Sequence, residues 1–250
     1  MTIVTTSQLL ARISELEAEL GQRTREAAEK EQQLERYAAD LRETFKEERA
    51  RAQELRRSYM LTVRALAGAV EARDAYTGRH AERVAAYGLQ IASAAGMQLG
   101  DEPQIEFGFL LHDAGKVAVP DAILFKPGPL TPPERAIIEQ HPLTGWEIVR
   151  DIEFLGAARD VIRSHHERWD GNGYPDGLAG TEIPLSARVF AVADTLDALT
   201  TNRPYRRASS FAKARAMIMR DSGTHFDPEI IAAYEKLPDA ALERIRKEIG

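Results

Sequence analysis

The chain has 250 residues, 44% of them apolar, and a formal net charge of −6, enough material for one ordinary core plus an appendage. It has no cysteine, which excludes disulfides, thiolate nucleophiles and Cys-type zinc sites and leaves histidine and carboxylate as metal ligands. The acidic balance argues against a DNA binder, which needs a basic footprint, and the lack of a long apolar run and the early charges argue against a membrane span or signal peptide, so a cytoplasmic location is expected.

From Ser7 to about Leu66 there is no proline and one glycine, Gly21, while charges of both signs alternate with leucines. Apolar residues fall at Leu9, Ile13, Leu16 and Leu20, and the same register later meets Ala27, Leu34, Tyr37 and Leu41, a heptad seam interrupted at Arg23, Lys30 and Thr44. Beyond Leu41 it continues through Phe45, Ala52, Leu55, Tyr59 and Leu66 with an extra step of four, a stutter. The expectation is a coiled-coil helix over residues 1–59 that pairs two chains in parallel; the alternative is a solvated single helix held by i,i+4 ion pairs. Near Tyr59 the composition turns apolar without a linker, so the helix is expected to enter a domain covering residues 60–250.

That domain reads as all helical. Thr77-Gly78 breaks the first helix, and a second is expected from His80 to about Ala95, ending at Gly96. Asp101 with Pro103 opens a helix running to His112-Asp113, with Gly115 as its expected stop. Thr131-Pro132-Pro133-Glu134 is a capping-box start for a short helix ending near His141-Pro142. Further helices are expected at about 143–150, 155–166, 185–200, 209–221 and 228–236, the last opened by Asp227-Pro228. Strand signals are poor. The polar stretch from Glu167 to Ile183 is too long for an ordinary connection, and such loops are usually functional.

Chemistry concentrates around His165-His166-Glu167-Arg168-Trp169-Asp170-Gly171-Asn172-Gly173-Tyr174-Pro175, where two imidazoles run into backbone that cannot stay helical. Alone, a His-His pair is more often an accident than a metal site; its company is His80, His112-Asp113, His141 and Asp194. Asp194 lies in the apolar helix Arg188–Leu199, where a carboxylate is costly to bury unless it is paired or binds a metal. Arg188 or a helix cap is the alternative partner.

The order His-Asp, His, His-His-Glu-x-x-Asp-Gly-x-Gly-Tyr-Pro, then a helical Asp followed by Arg203-Pro204-Tyr205-Arg206, closely resembles the HD-GYP domain, a subgroup of the HD metal-dependent phosphohydrolases. The resemblance covers about residues 60–240 and includes Tyr76-Thr77-Gly78-Arg79-His80, Lys116, Lys126-Pro127-Gly128 and His225-Phe226-Asp227-Pro228. It implies an all-α fold, a bacterial signalling role and hydrolysis of cyclic di-GMP to the linear dinucleotide pGpG or to GMP. By the same resemblance His112, Asp113, His141, His165, His166 and Asp194 are metal ligands, with Asp113 bridging two ions, and His80 is a further ligand. Members holding a third metal place a Glu where this chain has Tyr76, which argues against a third ion. Mixed imidazole and carboxylate ligands suit iron, manganese or zinc, and two such ions activate a shared hydroxide for in-line attack at phosphorus. Lys116 is placed to steady the developing charge or protonate the leaving oxygen, Arg203 and Arg206 to grip phosphate or guanine, and Tyr174 to stack on a base; Glu167 and Asp170 fix turns or orient ligands. Two other readings stand beside this one: hydrolysis of another dinucleotide, and a non-catalytic module whose coiled coil and Gly-Tyr-Pro loop dock a signalling partner.

Overall fold

In a computed structural model the described residues are 5–73, 79–97, 104–202 and 206–250. They form α-helices and short 3-10 turns with no β-strand, only isolated bridges such as Asp170 with Ala179 and Ser222 with Phe226, so the all-α expectation is met. By internal contacts the chain divides into two compact units, Met1–Ser58 and Tyr59–Gly250. Helix α1 (Thr6–Glu71) supplies nearly all of the first and the opening of the second.

In the first unit α1 carries intrahelical ion pairs, among them Arg12–Glu15 at 2.5 Å and Arg23–Glu19 at 2.9 Å. Exposed pairs of this kind contribute only about 0.3–0.5 kcal/mol each. The heptad residues Leu9, Ile13, Leu16, Leu20, Leu34, Tyr37, Leu41, Phe45 and Leu55 are all exposed, so a single chain leaves the seam uncovered.

The second unit is organised on α8 (Leu185–Thr200), which buries Val189, Phe190, Val192, Ala193 and Leu196 around nearly its whole circumference, the signature of a central helix. Against it pack α2 (His80–Ala94) and α7 (Ala158–Ser164), with α3 (Gln104–Leu111) set against both. Their buried Tyr87, Ile91, Phe109, Val161 and Ile162 complete the core. Short helices α4 (Asp121–Leu124), α5 (Pro132–Ile138) and α6 (His141–Val149) follow α3, and α9 (Phe211–Arg220), α10 (Pro228–Glu235) and α11 (Asp239–Ile249) follow α8. The capping box at Thr131 and Glu134 forms as expected. Asp227 caps α10, its carboxylate accepting from Glu229 N at 2.8 Å, a contact worth about 1 kcal/mol. The expected break at Thr77-Gly78 and cap at Asp101 lie outside the described residues.

Two expectations are corrected near the site. Gly115 does not stop α3, which ends at Leu111; it sits inside a 3-10 helix, Ala114–Ala118. A Cβ on Gly115 would collide with the His141 carbonyl oxygen and lie 2.5 Å from Gly145 N, so glycine here permits backbone contact with α6 rather than helix termination. His141 does not end the capping-box helix either: α5 stops at Ile138 and His141 begins α6, with Pro142 in the first turn where its missing N–H costs nothing. Helix α11, with Leu242 buried, had no counterpart in the sequence reading.

Candidate metal centre

Helix ends deliver most of the imidazoles. His112 directly follows α3, His141 opens α6, His165 caps the C-terminus of α7 and His166 follows it, while His80 is the first residue of α2. The last carbonyls of a helix have no intrahelical donor, and three rings exploit this: Nδ1 of His112 faces Phe109 O at 3.0 Å, that of His141 faces Ile138 O at 2.6 Å, and that of His165 faces Ile162 O at 2.9 Å. A carbonyl only accepts, so each Nδ1 carries the proton and each Nε2 presents a lone pair, the tautomer a metal needs.

Those lone pairs converge on Asp113. One ligand atom from each of Asp113, His141, His165 and His166 lies within 4.8 Å of the others. His141 Nε2 is 3.2 Å from Asp113 Oδ1, and His165 Nε2 is 3.9 Å from the same oxygen. The other oxygen, Oδ2, is 3.0 Å from His112 Nε2 and 2.7 Å from Lys116 Nζ. Asp113 therefore turns one oxygen to His141 and His165 and the other to His112 and Lys116. A cavity of about 20 Å³ is lined by His80, His112 and Asp113 among others, room for roughly one water-sized particle.

Asp194 is half-buried on α8, and its Oδ1 is 3.5 Å from His80 Nε2. Its alternative partner Arg188 is engaged elsewhere, with Asp227 at 2.6 Å. The His80 and His112 rings meet edge to face with centroids 5.5 Å apart. Of the seven expected ligands, four thus gather tightly, His112 touches the shared carboxylate, and His80 pairs with Asp194.

At His165 and His166 the electrostatics favour neutral imidazoles beside an ionised Asp113. Burial first, then the neighbouring His166 and His141, hold His165 well below the usual imidazole range. His166 is pushed down to about 3, again by burial first and then by His141. For Asp113 burial opposes ionisation, but His112 and Lys116 outweigh it and hold the carboxyl well below the usual range. The donor set fits a divalent cation: His141 Nε2 and His165 Nε2 face each other at 3.1 Å while both Nδ1 atoms are committed to carbonyls, so two lone pairs confront one another unless a positive charge lies between them.

The loop after His166 is tied down by Glu167, which is buried and accepts from the backbone N–H of Asp176 at 2.7 Å, Gly177 at 3.1 Å and Leu178 at 3.0 Å. Asp170 accepts from Arg168 at 2.7 Å and from Asn172 N at 3.1 Å, so both carboxylates fix turns. Gly173 lets the loop fold onto His166 and Glu167, since a Cβ there would lie 2.5 Å from Glu167 Cα. Tyr174 stacks on His166, centroids 4.7 Å apart, and the peptide bond to Pro175 is cis. Arg206 donates to Ala198 O at the end of α8; Arg203 and Tyr76 lie outside the described residues.

Sequence reasoning missed Asp197 and Arg83. Asp197, 2% exposed, accepts from His80 Nδ1 at 2.7 Å and from Arg83 Nε at 2.7 Å. The available signal was the i,i+3 spacing of Asp194 and Asp197, which puts both on one helix face. Burial works against the ionised form of Asp197, but the hydrogen bonds from His80 and Arg83 outweigh it and lower its pKa.

An all-α domain whose helix ends direct histidines at one half-buried aspartate presents a histidine–carboxylate cluster of the kind that binds a divalent metal. The chain belongs to the HD domain family, whose sequence profile matches residues 64–230, and the HD-GYP resemblance stands with that membership. It is 40% identical over 194 residues, 77% of this chain and 34% of the relative, to a 3′3′-cGAMP-specific phosphodiesterase of Vibrio cholerae. It is 41% identical over 180 residues, 71% of this chain and 49% of the relative, to a cyclic di-GMP phosphodiesterase of Thermotoga maritima. The chain thus spans a third to a half of the length of these curated relatives. A crystal structure of a cyclic GMP-AMP specific phosphodiesterase of V. cholerae shares the fold with a TM-score of 0.52, at 23% identity over 74% of this chain and 52% of that one. Among the described residues no helix is long and apolar enough to cross a membrane.

Proposed function

We propose that residues 60–250 are a metal-dependent phosphodiesterase domain that hydrolyses cyclic di-GMP to linear pGpG or GMP, and that residues 1–59 are a signalling helix through which two chains pair in the cytoplasm. The observation that carries the first half is the divided carboxylate of Asp113, Oδ1 turned to His141 and His165 and Oδ2 to His112. Asp113, His141, His165 and His166 would hold one ion; Asp113, His112, Asp194 and His80 would hold the second. Iron or manganese suits this donor set best, with zinc as a substitute. When bound, two such ions lower the pKa of water and neutralise charge on the phosphoryl oxygens.

The chain's own residues do the rest. Lys116, 2.7 Å from Asp113 Oδ2, is placed to neutralise charge building on the departing oxygen and to return a proton to it. Tyr174, braced against His166, offers its outer edge to a base. Arg206, with Arg203 beside it in sequence, supplies guanidinium groups for a phosphate or a guanine edge.

A second reading, hydrolysis of 3′3′-cGAMP, is favoured by one observation: the chain is 40% identical to a phosphodiesterase named for that substrate, against 41% for one named for cyclic di-GMP. Incubating manganese-loaded protein with each dinucleotide separately, and following linear products by chromatography, tests both readings. Turnover of cyclic di-GMP at the higher kcat/KM is expected; a higher value for 3′3′-cGAMP selects the second reading. No turnover of either by fully metallated protein would leave the module as a docking element.

A further inference from the structure

We propose that Asp197 is the positioning residue for His80, and that Arg83 holds Asp197 in that role. The inference rests on the reading of His80 as a ligand of the second ion.

Asp194 and Asp197 lie one helical turn apart on α8 and address opposite nitrogens of a single imidazole. Asp197 Oδ2 is 2.7 Å from His80 Nδ1, a short hydrogen bond, while Asp194 Oδ1 is 3.5 Å from Nε2, beyond the range of a good one. An ionised carboxylate can only accept, so Nδ1 carries a proton, and Nε2 is the nitrogen left on the Asp194 side to meet a cation. The two acids are also housed differently. The Asp194 side chain is one-third exposed and keeps its oxygens available. Asp197 is buried with both oxygens engaged: Arg83 donates from Nε to Oδ1 at 2.7 Å and from Nη2 to Oδ2 at 3.1 Å, and Thr201 Oγ1 donates to Oδ1 at 3.4 Å.

Arg83 is itself 3% exposed and donates from Nη1 to the Gly250 carbonyl oxygen at 3.1 Å. A buried carboxylate braced by a guanidinium and aimed at the far nitrogen of a ligand histidine is the arrangement that sets ring orientation and raises ligand basicity. It does for His80 what backbone carbonyls do for His112, His141 and His165.

The test uses full-length protein loaded with manganese. Wild type should hold two ions per chain with an exchange-coupled EPR spectrum. Asp197→Asn should bind the second ion about 10–100-fold more weakly, with the spectrum of an isolated Mn(II) emerging as manganese is lowered, while the ion held by His141, His165 and His166 stays tight. The paired variant Arg83→Gln with Asp197→Asn leaves no unpaired buried guanidinium and should show the same loss; thermal melting confirms that each variant is folded. Two tightly held, coupled ions in either folded variant would overturn the proposal. A wild type holding fewer than two ions would overturn the two-ion reading and this inference with it. A measurement free of variants decides the case if neither folds: in zinc-loaded, ¹⁵N-histidine-labelled wild type, His80 should carry its proton on Nδ1, and a proton on Nε2 would overturn the role of Asp197.

Discussion

Replacing Glu167 with alanine isolates the part of the site that is loop architecture rather than chemistry. The carboxylate is buried and accepts three backbone N–H groups, from Asp176, Gly177 and Leu178. A buried donor left without an acceptor costs about 1–3 kcal/mol, so three stranded donors set a range of about 3–9 kcal/mol. Water entering the space left by the carboxylate brings the cost to the lower end, about 3 kcal/mol. The loop keeps a second tether, the two-point contact of Arg163 with Asp176 at 2.7 and 2.8 Å, so it should loosen without leaving. In a domain of this size about 3 kcal/mol corresponds to a fall in Tm of roughly 6–12 °C. If the opening is local, amide exchange at residues 176–178 should speed up by about 100-fold. Glu167→Gln, which retains one acceptor oxygen, should fall between alanine and wild type. Metal content should not change, because the hydrogen bonds of the Glu167 carboxylate go to loop backbone at Asp176, Gly177 and Leu178. An alanine variant within about 0.5 kcal/mol of wild type, with residues 176–178 equally protected, would refute the reasoning.

Asp113→Ala should abolish binding of both ions by elemental analysis and with it turnover, whereas Arg206→Ala should raise KM and leave the metal content intact. Leu16→Glu combined with Leu20→Glu should convert a dimer into a monomer by sedimentation at micromolar concentration while the domain keeps its metals; a wild-type monomer under those conditions would rule out the paired helix. Glu134 should titrate near pH 2 by NMR, held down first by the hydrogen bond from Lys126 and then by those from Thr131. A depressed carboxyl stabilises the start of α5 above its ordinary pKa of 4.5 and stops doing so as the pH falls toward 2. Lys126→Met should move that midpoint upward.

The helices were legible wherever a local device marks them. Thr131 with Glu134 and Asp227 with Pro228 announce their caps within four residues, and the apolar run around Phe190 and Val192 can only be a buried helix once strand signals are absent. The two errors share a cause, which is that one residue type serves two geometries. A glycine after an apolar helix marks either its C-terminus or a close backbone approach, and only the position of Gly145 decides for Gly115. A proline after His141 suits both the end of one helix and the first turn of the next, and the choice depends on where α5 runs out of contacts. The ligand set was read from the order of motifs, since its members lie far apart in sequence and no periodicity links His112 to His165. Asp197 and Arg83 escaped because their pairing spans 114 positions and neither residue is unusual where it stands.

The way the imidazoles are oriented explains why such a site can be built from very short helices. A helix of seven to nine residues satisfies few of its own carbonyls, which is a liability in a buried position. Here α3, α5 and α7 each end where a histidine three residues on from a late carbonyl closes the account, at Phe109, Ile138 and Ile162. The same contact that completes the helix end fixes the tautomer, so the cost of preorganising three lone pairs is already met by folding. The 3.1 Å approach of His141 Nε2 to His165 Nε2 brings two of those lone pairs to a place where one divalent cation would use both.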